Sequence, residues 1–93
     1  MRKIERPVSF KRDYKREAKG QHKAILDRAL VPVIQLLVDD QVLAPRYRDH
    51  DLTGDWAGFR ECHIRPDLLL IYRKLGDDIL ILARLGSHSE LFG

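Results

Sequence analysis

Residues 56–85, WAGFRECHIRPDLLLIYRKLGDDILILARL, decide the fold. They contain three apolar runs separated by two turn signals. Trp56 to Ile64 alternates loosely and predicts a strand, and Arg65-Pro66-Asp67 a turn. Leu68 to Lys74 is apolar almost throughout, the mark of a strand in the centre of a sheet. Gly76-Asp77-Asp78 predicts a second turn and Ile79 to Leu85 a third strand. Tight turns join antiparallel neighbours, so the three strands make a meander.

Upstream of this stretch the period changes. Residues 41–55, with Pro45 and Thr53-Gly54-Asp55, predict a loop. Leu26, Leu30, Val33, Ile34 and Leu37 recur at helical spacing and predict a half-buried helix over 22–39. Pro32 removes the hydrogen bond to the Arg28 carbonyl and predicts a bend. Asp39 and Asp40 place acid at the unfavourable end of the helix dipole. Phe10, Tyr14 and Ala18 share one face of a shorter helix over 10–19, with Ser9 as N-cap and Gly20 as its stop. Residues 3–10 read as a first strand with Ile4, Val8 and Phe10 apolar, and Pro7 puts it at an edge or an end. The order is β-α-α-β-β-β, an α+β domain over residues 1–93 with two helices packed on a small sheet.

At 44% hydrophobic and 33% charged, the 93-residue chain excludes collagen, coiled coil and a disordered segment. No apolar run approaches the ~20 residues of a membrane span. Met1-Arg2-Lys3 leads into charged residues, not into the apolar run of a secretory signal. The single cysteine, Cys62, forbids an internal disulfide, and these features together predict a cytoplasmic protein. Net charge is +3, unevenly spread: residues 1–23 hold nine Lys/Arg against three acids, and the remaining seventy hold eight against eleven. The basic block is a candidate phosphate footprint, with Lys11, Lys15, Arg16 and Lys19 on the first helix as docking residues.

The meander brings the end of the first run, the start of the second and the end of the third to one edge of the sheet. His63, Asp67, Arg84 and His88 are predicted to converge there, and the polar loop carrying His50 is long enough to join them. Imidazoles near a carboxylate suit general acid–base catalysis, because one ring accepts a proton while another donates one. A guanidinium beside them suits a phosphorane oxyanion. A ribose 2′-hydroxyl next to its own phosphodiester needs only these groups, with no metal or cofactor. Arg84 has two carboxylates within its predicted reach, Glu61 and Asp67. His22 has no predicted partner and reads as surface. Trp56 and Phe59 read as packing residues and Cys62 as a small buried one. The gaps between histidines lack the short paired spacing of a zinc site.

These residues carry a resemblance. Tyr47-Arg48-Asp49-His50-Asp51-Leu52-Thr53-Gly54-Asp55-Trp56-Ala57-Gly58-Phe59-Arg60, the continuation Glu61-Cys62-His63-Ile64-Arg65-Pro66-Asp67 and the ending Arg84-Leu85-Gly86-Ser87-His88-Ser89-Glu90-Leu91-Phe92-Gly93 resemble the YafQ branch of the RelE-type toxins of bacterial toxin–antitoxin pairs. The likeness is sharp from about residue 45 onward. It implies a RelE-like fold and a ribosome-dependent endoribonuclease that cuts messenger RNA. By the same resemblance His50, His63, His88 and Asp67 are catalytic, Arg84 meets the scissile phosphate and Phe92 a nucleotide. It implies three partners: the ribosome, messenger RNA, and a cognate antitoxin of ribbon-helix-helix type. Two other readings stand beside it: a ParE-like toxin of the same fold that poisons DNA gyrase, and a non-enzymatic RNA-binding module.

Overall fold

The run Leu68–Leu75 lies in the middle of a five-stranded sheet, and its surroundings explain its composition. The computed structural model describes residues 1–93. Its strands are β1 (Lys3–Glu5), β2 (His50–Asp51), β3 (Arg60–Arg65), β4 (Leu68–Leu75) and β5 (Ile79–Gly86), and its helices are α1 (Val8–Ala18), α2 (Leu26–Val38) and α3 (His88–Phe92). The sheet order is β1-β5-β4-β3-β2, with β1 parallel to β5 and every other pair antiparallel. Leu68, Leu70 and Tyr72 face one side of β4 and meet Phe10 of α1 and Leu26, Leu30, Val33 and Leu37 of α2. Leu69 and Ile71 face the other side, where Ala83 and Leu91 cover them. Both faces of β4 are therefore dry, which is why it does not alternate. The second face is covered only in part, by α3 and by Leu52, Trp56 and Phe59.

Several boundaries differ from the sequence expectation, each for a local reason. The first strand stops at Glu5, and Val8 and Phe10 belong to α1, whose N-cap is Pro7. Proline costs little at a helix start, where its missing N–H would have no partner. Ser9 is thus inside the helix and not its cap. Its hydroxyl donates to the Ala83 carbonyl at 3.0 Å. Asp13 accepts from the Leu85 amide at 3.0 Å, and Arg16 donates to the Leu85 carbonyl at 2.7 Å. Residues 9, 13 and 16 lie on one helix face, and β1 pairs with β5 only as far as Ile81. Side chains of α1 thus complete the ladder of β5 where β1 has ended.

The second helix begins at Leu26, not at 22, because residues 20–25 form tight turns closed by Lys23 and Ile25 amides. Pro32 sits on the exposed side of α2, and the helix runs through it to Val38. Its C-terminus is a Schellman motif: Gln41 N–H bonds the Leu36 carbonyl at 2.9 Å and Asp40 N–H the Leu37 carbonyl at 3.2 Å. Asp40 occupies the left-handed position with φ 55°. Lys74 at 2.7 Å and Arg2 at 2.8 Å supply the cations its charge needs and lower its pKa to about 2.

The expected 41–55 loop contains the two-residue strand β2. The strand expected from Trp56 begins only at Arg60. Trp56 lies in a 3-10 turn and stacks edge-on against Phe59, with ring centroids 5.2 Å apart, over the second face of the sheet. No helix is long and apolar enough to cross a membrane.

Candidate active site

Side chains of β3 alternate between the two faces of the sheet. Cys62 and Ile64 enter the core under the helices, which leaves Glu61 and His63 on the partly open face. Burial pushes the Cys62 thiol up to about 12, so it is no nucleophile at neutral pH. In β2, His50 stands opposite Glu61. Glu61 is buried, and its Oε1 lies 3.3 Å from His63 Nε2 and 3.7 Å from His50 Nε2. The two imidazole centroids are 6.4 Å apart. One carboxylate thus faces two rings. Glu61 is the residue the sequence reading missed as a member of the site, and its i, i+2 spacing from His63 on a strand is the signal that would have found it.

His50 is held from both sides along the chain. Asp49 accepts from Arg60 at 3.1 and 3.3 Å and from the Tyr72 hydroxyl at 2.6 Å. Asp51 accepts from the same Arg60 at 2.5 Å. Burial, together with Asp49, raises the Tyr72 hydroxyl above the ordinary phenol range, so it remains a donor. His50 Nδ1 lies 2.6 Å from the Arg48 carbonyl. A carbonyl only accepts, so Nδ1 carries a proton, and Nε2 is the nitrogen turned to Glu61.

Across a cleft of about 520 Å³ stands α3. His50, Glu61, Trp56 and Leu52 form one side, and His88 and Phe92 the other, with the His88 and Phe92 rings 5.0 Å apart. The tail expected to fray is a capped helix. Ser87 accepts from the Glu90 amide at 3.2 Å, Glu90 accepts from the Ser87 amide at 2.8 Å, and Leu91 is buried against the sheet.

The predicted convergence of His63, Asp67, Arg84 and His88 does not form: His63 lines one cleft and His88 another, and only His50, joined to His63 through Glu61, reaches the cleft of His88. Asp67 and Arg84 line neither this cleft nor the one beside His63. A bulge at Ala83 shifts the β4–β5 register, and Arg84 pairs with Asp13 of α1 at 2.6 Å, not with Glu61 or Asp67. Burial alone would raise the buried Asp13, but hydrogen bonds from Arg84 and the Leu85 amide outweigh it and hold the carboxyl below its usual range. Asp67, in the turn between β3 and β4, meets His22 Nε2 at 3.0 Å and Gln21 at 3.3 Å.

His22 is therefore not a surface residue: it is 7% exposed, with its Nδ1 3.1 Å from Glu17. Burial pushes its pKa down, but the hydrogen bonds of Asp67 and Glu17 prevail and raise it above the ordinary imidazole value. The same bond to His22 lowers Asp67. Arg16 is not a free docking residue either. It bonds Asp13 at 3.0 Å, Glu17 at 3.0 Å and Glu90 at 3.1 Å, and so ties α3 to the same network. Lys11, Lys15 and Lys19 are exposed and pair with no carboxylate.

Two helices on one face of a mixed sheet, with imidazoles around a buried carboxylate on the other, make an α+β domain of RelE-like form. The chain matches, over residues 2–93, the family model described as the bacterial toxin of type II toxin–antitoxin systems, YafQ. It is 37% identical to the mRNA interferase toxin YafQ of Escherichia coli K12 across 97% of this chain and 99% of that protein. The crystal structure of YafQ from E. coli BL21(DE3) superposes with a TM-score of 0.87 at 36% identity, covering all of both chains. YafQ in an E. coli DinJ–YafQ complex superposes at 0.85 with 38% identity, again over all of both chains. The chain belongs to the YafQ family of type II toxin–antitoxin toxins.

Proposed function

We propose that this toxin cleaves messenger RNA on the ribosome by attack of a ribose 2′-hydroxyl on the adjacent phosphate. The chain is an mRNA interferase, an endoribonuclease like the relatives it matches from end to end, and not a gyrase poison of the ParE kind. The observation that carries the mechanism is His50 facing His88 across a cleft, with Glu61 set between His50 and His63. A neutral Nε2 of this pair takes the 2′ proton, and Glu61 stabilises the imidazolium that forms. The 2′ oxygen bonds to phosphorus. The bond from phosphorus to the 5′ oxygen breaks, and His88 protonates the departing oxygen. The products are a 2′,3′-cyclic phosphate and a 5′-hydroxyl, and no metal takes part.

Arg84 does not line the cleft, and it is the guanidinium edge that Asp13 leaves free, Nη1, that reaches the scissile phosphate once the message is bound. Asp67, fixed by His22 outside both clefts, meets the message beyond the reacting centre through its exposed side. Phe92, stacked on His88, takes a base. Lys11, Lys15 and Lys19 meet ribosomal RNA. A cognate antitoxin holds the toxin inactive in the cytoplasm, as a toxin–antitoxin complex of YafQ with DinJ suggests, and we take it to be of the ribbon-helix-helix type. A groove of about 660 Å³ between the helices, with Phe10, Leu30 and Ile34 inside and Arg6, Lys11 and Lys15 at its rim, suits an acidic amphipathic segment and would cover two of the docking lysines.

Message 5′ ends mapped after incubation with translating ribosomes test the reading. Cuts within codons, bearing 5′-hydroxyls, are expected. His88→Ala should lower the single-turnover rate at least ~100-fold, with the unfolding midpoint little changed. A His88→Ala rate within tenfold of wild type would remove the general acid, and DNA breaks without RNA cuts would remove the nuclease.

A further inference from the structure

A second cleft, of about 430 Å³, has His63 in its wall and no residue of α3. Its charged walls are Arg46, Arg48 and Arg65, and no acidic residue lines it. None of the three arginines pairs with a carboxylate anywhere in the chain, whereas Arg2, Arg16, Arg60 and Arg84 all do. The seventy residues after Lys23 are net acidic, so this is a local inversion of their charge. It is also a built one. Arg46 lies over the Tyr47 ring, 4.8 Å from its centroid, and donates to the Tyr47 hydroxyl at 2.9 Å. Arg48 holds a left-handed conformation, φ 49°, at the end of a 3-10 turn, and its carbonyl fixes His50. His63 and Arg65, two apart on β3, both line this cleft.

We infer that Arg46, Arg48 and Arg65 grip the RNA backbone on the 5′ side of the scissile bond. The inference rests on the mechanism above and adds the direction in which the message runs. In an in-line displacement the attacking and leaving oxygens lie on opposite sides of phosphorus. The leaving 5′ oxygen belongs to the downstream nucleotide and faces His88. The attacking 2′ oxygen belongs to the upstream nucleotide and faces the His50–His63 pair. The chain upstream of that ribose runs away from α3, and His63 is itself a wall of the arginine cleft. Guanidinium is the group best matched to phosphate oxygens, and three unpaired ones next to the base side form a track for consecutive phosphates. Phe92, beside His88, is left to receive the downstream base.

Neutral methylphosphonate linkages in synthetic messages, loaded on preformed ribosome complexes, test this with an Arg46→Gln/Arg48→Gln/Arg65→Gln variant. In the wild-type toxin, neutralising the two linkages 5′ of the cut should raise the half-saturating toxin concentration about tenfold. The variant should start from that weaker value and be insensitive to the same change. A neutral linkage 3′ of the cut should affect both proteins alike. An Arg48→Lys/Arg65→Lys variant, which keeps the charges, should recover part of the upstream sensitivity. The inference is overturned if the glutamine variant stays as sensitive as wild type upstream, or if the coupling appears downstream. It is equally overturned if the variant loses affinity for every message by one factor, which would place the arginines on ribosomal RNA. Wild-type protein that leaves every message intact would instead refute the nuclease mechanism.

Discussion

His22 has a carboxylate oxygen at each ring nitrogen, and only the imidazolium donates to both. A neutral ring would set one lone pair against a carboxylate inside a nearly closed site. The bridge ties the turn after α1 to the turn that carries Asp67. Replacing His22 with Ala should cost about 1–3 kcal/mol, since buried Glu17 keeps only Arg16 and Asp67 loses its partner. The folded pKa is raised above the unfolded value, so the charge contributes fully below the ordinary imidazole range near 6.5. That contribution fades as pH rises through the folded value. Urea midpoints of wild type and His22→Ala should therefore differ most near pH 6 and draw together toward pH 9. A gap that stays constant over that range would mean the ring is neutral.

At the scale of elements, α3 is the part most exposed to a small change. It has five residues, too few to hold a helix by propensity, and it carries both His88 and Phe92. Its order comes from the Ser87–Glu90 capping box, from Leu91 in the second core and from Glu90 on Arg16. Ser87→Ala removes the cap, a loss of about 1 kcal/mol. Hydrogen exchange of the Leu91 amide, which bonds the Ser87 carbonyl at 3.1 Å, should speed up about fivefold, and the cleavage rate should fall. The global unfolding midpoint should move less than the exchange does. Unchanged Leu91 exchange would show that packing alone orders the helix.

For the whole molecule, charge separates into a committed part and a free part. Arg16 neutralises buried carboxylates, whereas Lys11, Lys15 and Lys19 face solvent. Replacing the three lysines with Gln should leave stability nearly unchanged and flatten the salt dependence of ribosome binding, by about 0.7–0.9 in log–log slope for each phosphate no longer neutralised. Arg16→Gln should instead lower stability by about 1–3 kcal/mol, because buried Asp13 and Glu17 each lose one of two cations. A lysine variant with the wild-type salt slope would assign those charges to solvation alone. An Arg16→Gln protein as stable as wild type would show that the network does not need its centre.

The amino-acid sequence by itself determined the α+β order, the meander and most of the core. Apolar period is a local property, so Leu68–Leu75 reads as central and Leu26, Leu30, Val33 and Leu37 as one helix face without knowledge of what they touch. It also marked His50, His63 and His88 as a group, through chemistry and resemblance. The partners of the charged residues were decided only by the tertiary structure. Arg84 meets Asp13 and Asp67 meets His22 across 71 and 45 residues of chain, and no local pattern links them. Bulges at β3 and β5 shift register by a residue, and such a shift re-aims a side chain without leaving a mark in hydrophobic pattern. Glu61 was overlooked for the same reason: burial beside two imidazoles comes from β2 closing the edge of the sheet, and β2 is two residues long, too short to have a period at all.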